Sequence, residues 1–340
     1  MAAPGHPRRG SSTARTYGRG KNSLSLDAHY IDRPDVKASY IDTHCHLFTT
    51  LQMMQEKLSD STIPKNRVDL LVKKLFPPNV KAVVDIHCDL PMDDYHKLKQ
   101  LSTEWPEDFA YYFAVGAHPH TAPLYSDQTH QKFVEIMSDP RCVAWGECGL
   151  DYFKNPPGTF PTQREVFTRQ ILAAVSLNKP IVIHTREADD DTKEILDKHM
   201  PRDHTFHVHC FTSSTEFGKW VLATFPNSYI GITGVVSYNL PHVAEFIRSG
   251  ELPLERMLME TDSPFMIPKN IYPWMKTRSS NDRRKRFEIS HSGMIPFTAE
   301  LVAGMINEGR EAASDDRRTN VEEVLDVTRK NAEKVYRISI

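Results

Sequence analysis

The stretch YIDTHCH, residues 40–46, decides the fold of this chain. It is a short apolar run that ends on two imidazoles. In an extended segment side chains alternate with period two, so His44 and His46 share one face, with Asp42 behind them. The pattern recurs downstream: VAWGECGLD (143–151) carries Glu147, PIVIHT (180–185) reaches His184, FHVHCF (206–211) carries His209, and LMETDSP (258–264) turns at Asp262. His44 and Asp262 lie 218 residues apart. Side chains so dispersed can share a site only if many strand ends meet at one mouth, and in a parallel barrel that mouth is the carboxyl face.

From Ser39 onward, strand-like and helix-like segments alternate without a break in composition. The expected strands are residues 40–44, 82–87, 110–117, 142–147, 180–184, 205–210, 228–233 and 256–261. Several are continuous Val/Ile-rich runs, the signature of parallel strands covered on both faces. Between them, Phe167, Ile171, Ala174 and Val175 fall on one helical face, and Asn178 and Pro180 stop that helix. Pro241 opens a shorter helix that Gly250 ends. Eight strands alternating with helices predict an α/β fold, a (β/α)8 TIM barrel of the metal-dependent hydrolase type, over residues 39–340. An open doubly wound sheet is the rival architecture, but the chain has no GxGxxG and no GxxxxGK loop.

Bulk composition excludes several function classes. The 340 residues carry 42 Lys and Arg against 44 Asp and Glu, a net charge of −2, so any attraction to a polyanion is local. Five cysteines with no CxxC pair make no disulfide framework and point to a reducing, intracellular compartment, cytoplasmic or nuclear. There is no apolar run of membrane-spanning length. Residues 1–38 are expected to form a solvated basic tail: Arg8, Arg9, Arg15, Arg19 and Lys21 occur without an acid in the first 22 residues. A mitochondrial transit peptide is the lesser reading, because Pro7, Gly10, Gly18 and Gly20 oppose an amphipathic helix.

Each candidate ligand has an ordinary alternative. Paired histidines are common on surfaces, but His44 and His46 end an apolar strand. Glu147 is costly to bury without a cation or donors, and its alternative is a salt-bridged barrel carboxylate. Such a carboxylate can bridge two cations. His207 and His209 face the same way; His209 is nearer the carboxyl end, and His207 reads as a hydrogen-bonded core histidine. Glu260 lies one layer below Asp262 and reads as a group that orients a ligand. Cys45, Cys148 and Cys210 each neighbour a candidate ligand, but alternation turns them toward the helix layer as small buried hydrophobes. Four imidazoles and two carboxylates suit Zn²⁺, Mn²⁺ or Fe²⁺ better than an all-oxygen Mg²⁺ cage.

These residues resemble the TatD-type metal-dependent deoxyribonucleases, in a divergent, eukaryotic-looking form. The resemblance rests on DTHCHL (42–47), GAHPH (116–120), GECGLDY (146–152), the helix from Gln163 into IHTREA (183–188), HCFTSS (209–214), GITG (231–234) and ETDSPF (260–265), in that order. It implies a nuclease that cleaves phosphodiester bonds of DNA, with RNA second, from the 3' end. It also implies two divalent ions, zinc, manganese or magnesium. His44, His46 and Asp262 would hold one, His184 and His209 the other, with Glu147 between them. His118 and Arg186 would meet the substrate phosphate. Many members carry an RRNEP-like stretch after ETD, where this chain reads RRKRFEISHSGMIP; His291 is expected to take over part of that role.

The expected mechanism is in-line attack on phosphorus by hydroxide generated on the two ions, Asp262 taking the proton. Residues 268–293 hold seven basic residues against two acidic ones and are expected to form an irregular loop beside the mouth. Lys269, Lys276, Arg278, Arg283, Arg284, Lys285 and Arg286 would track a phosphate backbone, and Tyr272 and Trp274 would stack on unpaired bases of single-stranded ends. The RRKR run also reads as a nuclear import signal. The alternatives are a barrel hydrolase of a small amide or ester, and an inactive nucleic-acid-binding scaffold; intact ligand positions weigh against the second. A monomer is the default expectation.

Overall fold

Eight parallel strands carry the structure, a computed structural model that describes residues 25–58, 62–65, 67–90, 105–278 and 286–340. They are β1 (Tyr40–Cys45), β2 (Val80–His87), β3 (Ala110–Val115), β4 (Cys142–Asp151), β5 (Ile181–Arg186), β6 (Phe206–Val208), β7 (Ser228–Ile232) and β8 (Met257–Met259). Neighbours in sequence are neighbours in the sheet, β1 through β8 in order. The ends meet through a parallel bridge between Cys45 and Ser263, where His46 N donates to Ser263 O and Asp262 N to His44 O, each at 2.9 Å. Each expected strand is present. β4 runs four residues past Glu147, its expected end, because Cys148 to Asp151 stay in register with Ile183 to Arg186.

Alternation along the strands sorts side chains into two layers. Trp145, Ile183, Val208 and Met259 pack outward under the helices, whereas Val84, Ala144, Val182 and Leu258 fill the barrel interior. The outer layer is formed by α1 (Leu47–Leu58), α2 (Val68–Leu75), α3 (Asp127–Ile136), α4 (Phe160–Ser176), α5 (Asp189–His199), α6 (Thr215–Thr224), α7 (Pro241–Arg248), α8 (Ile271–Arg278), α9 (Ile295–Ala312) and α10 (Val321–Tyr336). Pro161 opens α4, the expected Phe167, Ile171 and Ala174 are its fully buried face, and Asn178 follows it in the left-handed region (φ 49°). Tyr336, at the end of α10, joins the interior cluster, and its hydroxyl donates to Thr43 O at 3.3 Å.

Two expectations about segments outside the barrel core are corrected. The tail does not extend to residue 38: Leu26, Ile31 and Val36 are buried, and the Glu322 carboxylate accepts from both Lys37 N and Ala38 N at 2.5 Å. Apolar residues spaced along 26–36 are enough to seat this strip; residues 1–24 lie outside the described residues. The segment after β8 is not irregular throughout, since it forms α8. Trp274, expected to stack on bases, instead meets Phe297 edge-on (5.2 Å, 79°) in a cluster with Ile271, Met275 and Phe287. Burying the indole on that cluster gains more than leaving it in water. Arg283, Arg284 and Lys285 lie outside the described residues, whereas Arg286 is exposed with its guanidinium 4.6 Å from the Tyr272 ring. Among the described residues no helix is long and apolar enough to cross a membrane.

Candidate metal centre

Glu147 stands at the middle of the strand ends. Gly149, two residues on, has φ 152°, and a Cβ there would lie 1.9 Å from His184 O, so only glycine lets β4 and β5 run this close beside the carboxylate. One oxygen of Glu147, Oε2, lies 3.4 Å from His44 Nε2 and 4.0 Å from His46 Nε2. The other, Oε1, lies 2.6 Å from His184 Nδ1, 2.7 Å from His209 Nε2 and 3.6 Å from His118 Nε2. Asp262 Oδ1 completes the first side, 3.3 Å from His46 Nε2 and 3.7 Å from His44 Nε2. The six side chains singled out as ligands thus converge on one centre.

Among the described residues three sets of side chains are close enough to hold a cation: His44, His46 and Glu147; His118, Glu147 and His184; and His44, His209 and Glu260. Tautomers separate their members. His46 Nδ1 lies 3.2 Å from Ile86 O, to which it can only donate, so in the neutral ring it is Nε2 that carries the lone pair facing the centre. His118 is the reverse: its Nδ1 accepts from His120 N at 3.2 Å, which leaves the proton on Nε2. His118 therefore presents an N–H donor, rather than a lone pair, on the side of Glu147. Both ring nitrogens of His44, Nδ1 of His209 and Nε2 of His184 are buried without a hydrogen-bond partner. Unpaired buried polar atoms are costly, and a divalent ion among these imidazoles and carboxylates would satisfy several at once, so the residues fit a metal.

The electrostatics suit the same purpose. Burial pushes the Glu147 carboxyl up, but the charge of His209 and the close imidazoles of His184, His209 and His44 outweigh it and hold the group well below the usual range. Burial likewise opposes ionisation of Asp262, and the hydrogen bond from His46 with the charges of His44, His46 and His209 prevails. Burial, with the nearby His209 charge, drives His44 down to about 3, and burial drives His118 to about 3. His46 is lifted to about 9: burial lowers it, but its bond to Asp262 and the charges of Asp262 and Glu147 dominate. His184 also rises to about 9, because the nearby carboxylates of Asp151 and Glu147 overcome burial.

Below the centre, Glu260 and His207 form a buried pair. Glu260 Oε1 accepts from Cys210 N, and Oε2 lies 3.1 Å from His207 Nε2. His207 Nδ1 reaches the Tyr336 hydroxyl at 2.8 Å, as expected of a core histidine. A Cβ at Gly231 would fall 2.3 Å from His207 Nε2 and 2.5 Å from Glu260 Oε1, which is why GITG carries glycine there. Asp42, fully buried, accepts from Thr261 Oγ1 at 2.6 Å and Ser292 Oγ at 2.7 Å. It ties β1 to the chain beyond β8 behind the ligands.

A cavity of about 790 Å³ opens over the centre, lined on its polar side by His46, His118, Glu147, His184, His209 and Asp262. Arg186 is exposed at its edge, with the guanidinium 3.8 Å from the Phe153 ring. Cys45 and Cys148 are buried toward the helices as expected. Cys210 is not: it is half-buried, lines the cavity and lies 3.5 Å from Thr233 Oγ1. β6 has ended at Val208, and Cys210 has turned into the left-handed region (φ 43°), so alternation no longer governs it. His291 is also corrected. It is buried between Gly293 N and His29 O (2.7 Å), joining the amino-terminal strip to the loop, and is absent from the cavity lining.

Several residues of the site were not singled out from sequence. Asp151 Oδ2 lies 2.9 Å from His120 Nε2 and 3.4 Å from His184 Nε2. The signal was present, because Glu147, Gly149 and Asp151 repeat with period two. Gln163 and Gln170 of α4 reach back to the strand ends: Gln163 accepts from Asp151 N at 2.9 Å, and Gln170 from Ala117 N at 2.7 Å and Trp145 Nε1 at 3.1 Å. Cys88 lines the cavity with its thiol 3.7 Å from Glu147 Oε2, and no local pattern marks it.

Comparison with known proteins places this geometry in a family. The human 3'-5' RNA nuclease TATDN2 is 37% identical over 257 residues, which are 74% of this chain and 32% of that protein. The chain therefore spans about a third of that relative's length. The 3'-5' ssDNA/RNA exonuclease TatD of Escherichia fergusonii is 28% identical over 216 residues, 64% of this chain and 80% of that one. The crystal structure of a hydrolase TatD family protein from Entamoeba histolytica superposes with a TM-score of 0.67 at 15% identity, covering 88% of this chain and 99% of that one. The family model of TatD related DNases matches residues 41–337, from the first strand to the end of α10. The chain belongs to the TatD related DNase family.

Proposed function

We propose that this protein is a metal-dependent phosphodiesterase that hydrolyses single-stranded nucleic acid from its 3' end. The observation that carries the reading is Glu147, whose two oxygens face two separate imidazole sets, His44 with His46 and His184 with His209. The human relative, a 3'-5' RNA nuclease, and the Escherichia fergusonii relative, a 3'-5' ssDNA/RNA exonuclease, agree with it.

His44, His46 and Asp262 would hold one divalent ion and His184 and His209 a second, with Glu147 shared. Bound there, zinc, manganese or magnesium would neutralise phosphate charge and lower the pKa of a water. Ionised Asp262, through the carboxylate oxygen not turned toward His44 and His46, takes the proton of the attacking water. His118, neutral and protonated on Nε2, donates to a nonbridging phosphate oxygen, and Arg186 at the cavity edge pairs with the same phosphate. Glu260 and Asp42 keep the strand ends in place behind these groups.

The test is a 5'-labelled single-stranded oligonucleotide, offered as DNA and as RNA, with and without chelator, beside metal analysis of the purified protein. Ladders shortening from the 3' end, abolished by chelator and restored by Mn²⁺, are expected. Turnover of small amides or esters with no cleavage of either oligonucleotide would sink the reading.

A further inference from the structure

Beside the polar ligands, the cavity lining includes an apolar set, Val235, Tyr238, Leu240, Phe265 and Met266. Phe265 is the anomaly in it. Among the described residues most large aromatics are at least half-buried, yet Phe265 is 46% exposed and lies three residues from Asp262. No other aromatic ring among the described residues packs against it. Its backbone is held on both sides. Asp262 N donates to His44 O and Phe265 N to Asp262 O, Ser290 N donates to Pro264 O at 2.9 Å, and the Tyr238 hydroxyl donates to Ile267 O at 2.7 Å. A Cβ at Gly234 would strike Met266 O at 2.0 Å, so the loop is also pressed against the turn after β7. A half-exposed ring on an anchored loop is a prepared surface rather than a loose side chain.

We propose that Phe265 is the platform on which an unpaired nucleobase flanking the scissile phosphodiester stacks. The inference rests on the phosphodiesterase reading and adds the element that reading lacks, a contact to the base. A phosphate engaged by the ligands of the cavity leaves its flanking nucleoside beside the apolar set. Every base offers a π face, so the contact selects single strands without selecting sequence. Lys269 lies beside this set, its ammonium 4.6 Å from the Tyr238 ring, where it meets the next phosphate of the strand.

The experiment is a coupling cycle on the full chain with Mn²⁺. Single-stranded oligonucleotides with a normal base or an abasic residue at the 3'-terminal or penultimate position are compared by kcat/KM for wild type, Phe265→Ala and Phe265→Tyr. In wild type, deleting the base at one of these positions should cost about 5- to 100-fold, the range of single base–aromatic stacks. In Phe265→Ala that penalty should largely vanish, and Phe265→Tyr should restore it. Equal base sensitivity in wild type and Phe265→Ala overturns the platform while leaving the phosphodiesterase intact. No cleavage of any oligonucleotide by wild type overturns both. Should Phe265→Ala fail to fold, wild type supplies the second readout: a terminal or penultimate 2-aminopurine should be quenched on binding, and unchanged fluorescence of bound strand at both positions overturns the stack.

Discussion

Asp262 donates its backbone N–H to the carbonyl of His44 at 2.9 Å. This bond closes the barrel between the first strand and the chain leaving the eighth. It joins two residues 218 positions apart whose side chains then lie 3.7 Å from each other, His44 Nε2 to Asp262 Oδ1. Closure of the fold and assembly of the centre are the same event at this point.

Asp262→Asn should therefore preserve the backbone bond and the fold while removing the charge. Turnover of a single-stranded oligonucleotide should fall by about 10²- to 10⁴-fold, the usual contribution of a positioned acid or base. Circular dichroism should stay native, while the melting temperature of the metal-free protein should fall, because the Asp262 charge is what lifts His46. Substantial residual turnover would remove Asp262 from the proton-accepting role.

Dialysis against chelator should abolish turnover, and added Mn²⁺ should restore it with two ions per chain by metal analysis. Binding should also raise the melting temperature with metal concentration, because the assembled ligand set exists only in the folded chain. A stoichiometry of one would reject the two-ion division around Glu147.

The metal-free protein should lose stability between about pH 6.5 and pH 9. His46 and His184 are lifted to about 9 from the ordinary 6.5, so their stabilisation is complete below 6.5 and disappears as pH rises through 9. Burial pushes Asp42 to about 7 and Glu260 to about 8, and these carboxyls act in the same direction, since the unfolded chain ionises first. Saturating Mn²⁺ should flatten or reverse the fall, because ligation requires deprotonated imidazoles. Melting temperatures across this range, with and without chelator, decide it; a flat metal-free profile contradicts it.

Asp151→Asn should weaken metal affinity by about 10- to 100-fold, the usual effect of losing a group that orients a ligand. Asp151 Oδ2 sits 3.4 Å from His184 Nε2 and helps set which nitrogen of that ring faces Glu147. Titration against a chromophoric chelator measures the change. Unaltered affinity would make Asp151 a partner of His120 alone.

Gly231→Ala should cost about 1–3 kcal/mol in denaturant unfolding, as overpacking of a filled interior does. The added methyl would meet His207 and Glu260 at 2.3 and 2.5 Å, atoms fixed by Tyr336 and Cys210. A stability equal to wild type would mean that this pair moves freely.

Much of the fold was legible because period-two alternation and apolar runs are local. The strand ends bearing His44, Glu147, His184, His209 and Asp262 could be read from their own neighbours. Where regular backbone stops, the same reading failed. Cys210 turns into the cavity two residues after β6 ends. Trp274, inside α8, was misread for a different reason, since no nearby residue announces its contact with Phe297.

By itself, then, the sequence determined the element order, the barrel and the six side chains at its mouth, since each depends on local spacing. Only the tertiary structure decided which oxygen of Glu147 faces which imidazoles, why His118 donates while His46 can ligate, and that Phe265 stays exposed beside them. Those outcomes depend on contacts between segments far apart in the chain, such as Ile86 O on His46 and Ser290 N on Pro264, and no local pattern encodes a partner over a hydrogen-bond distance.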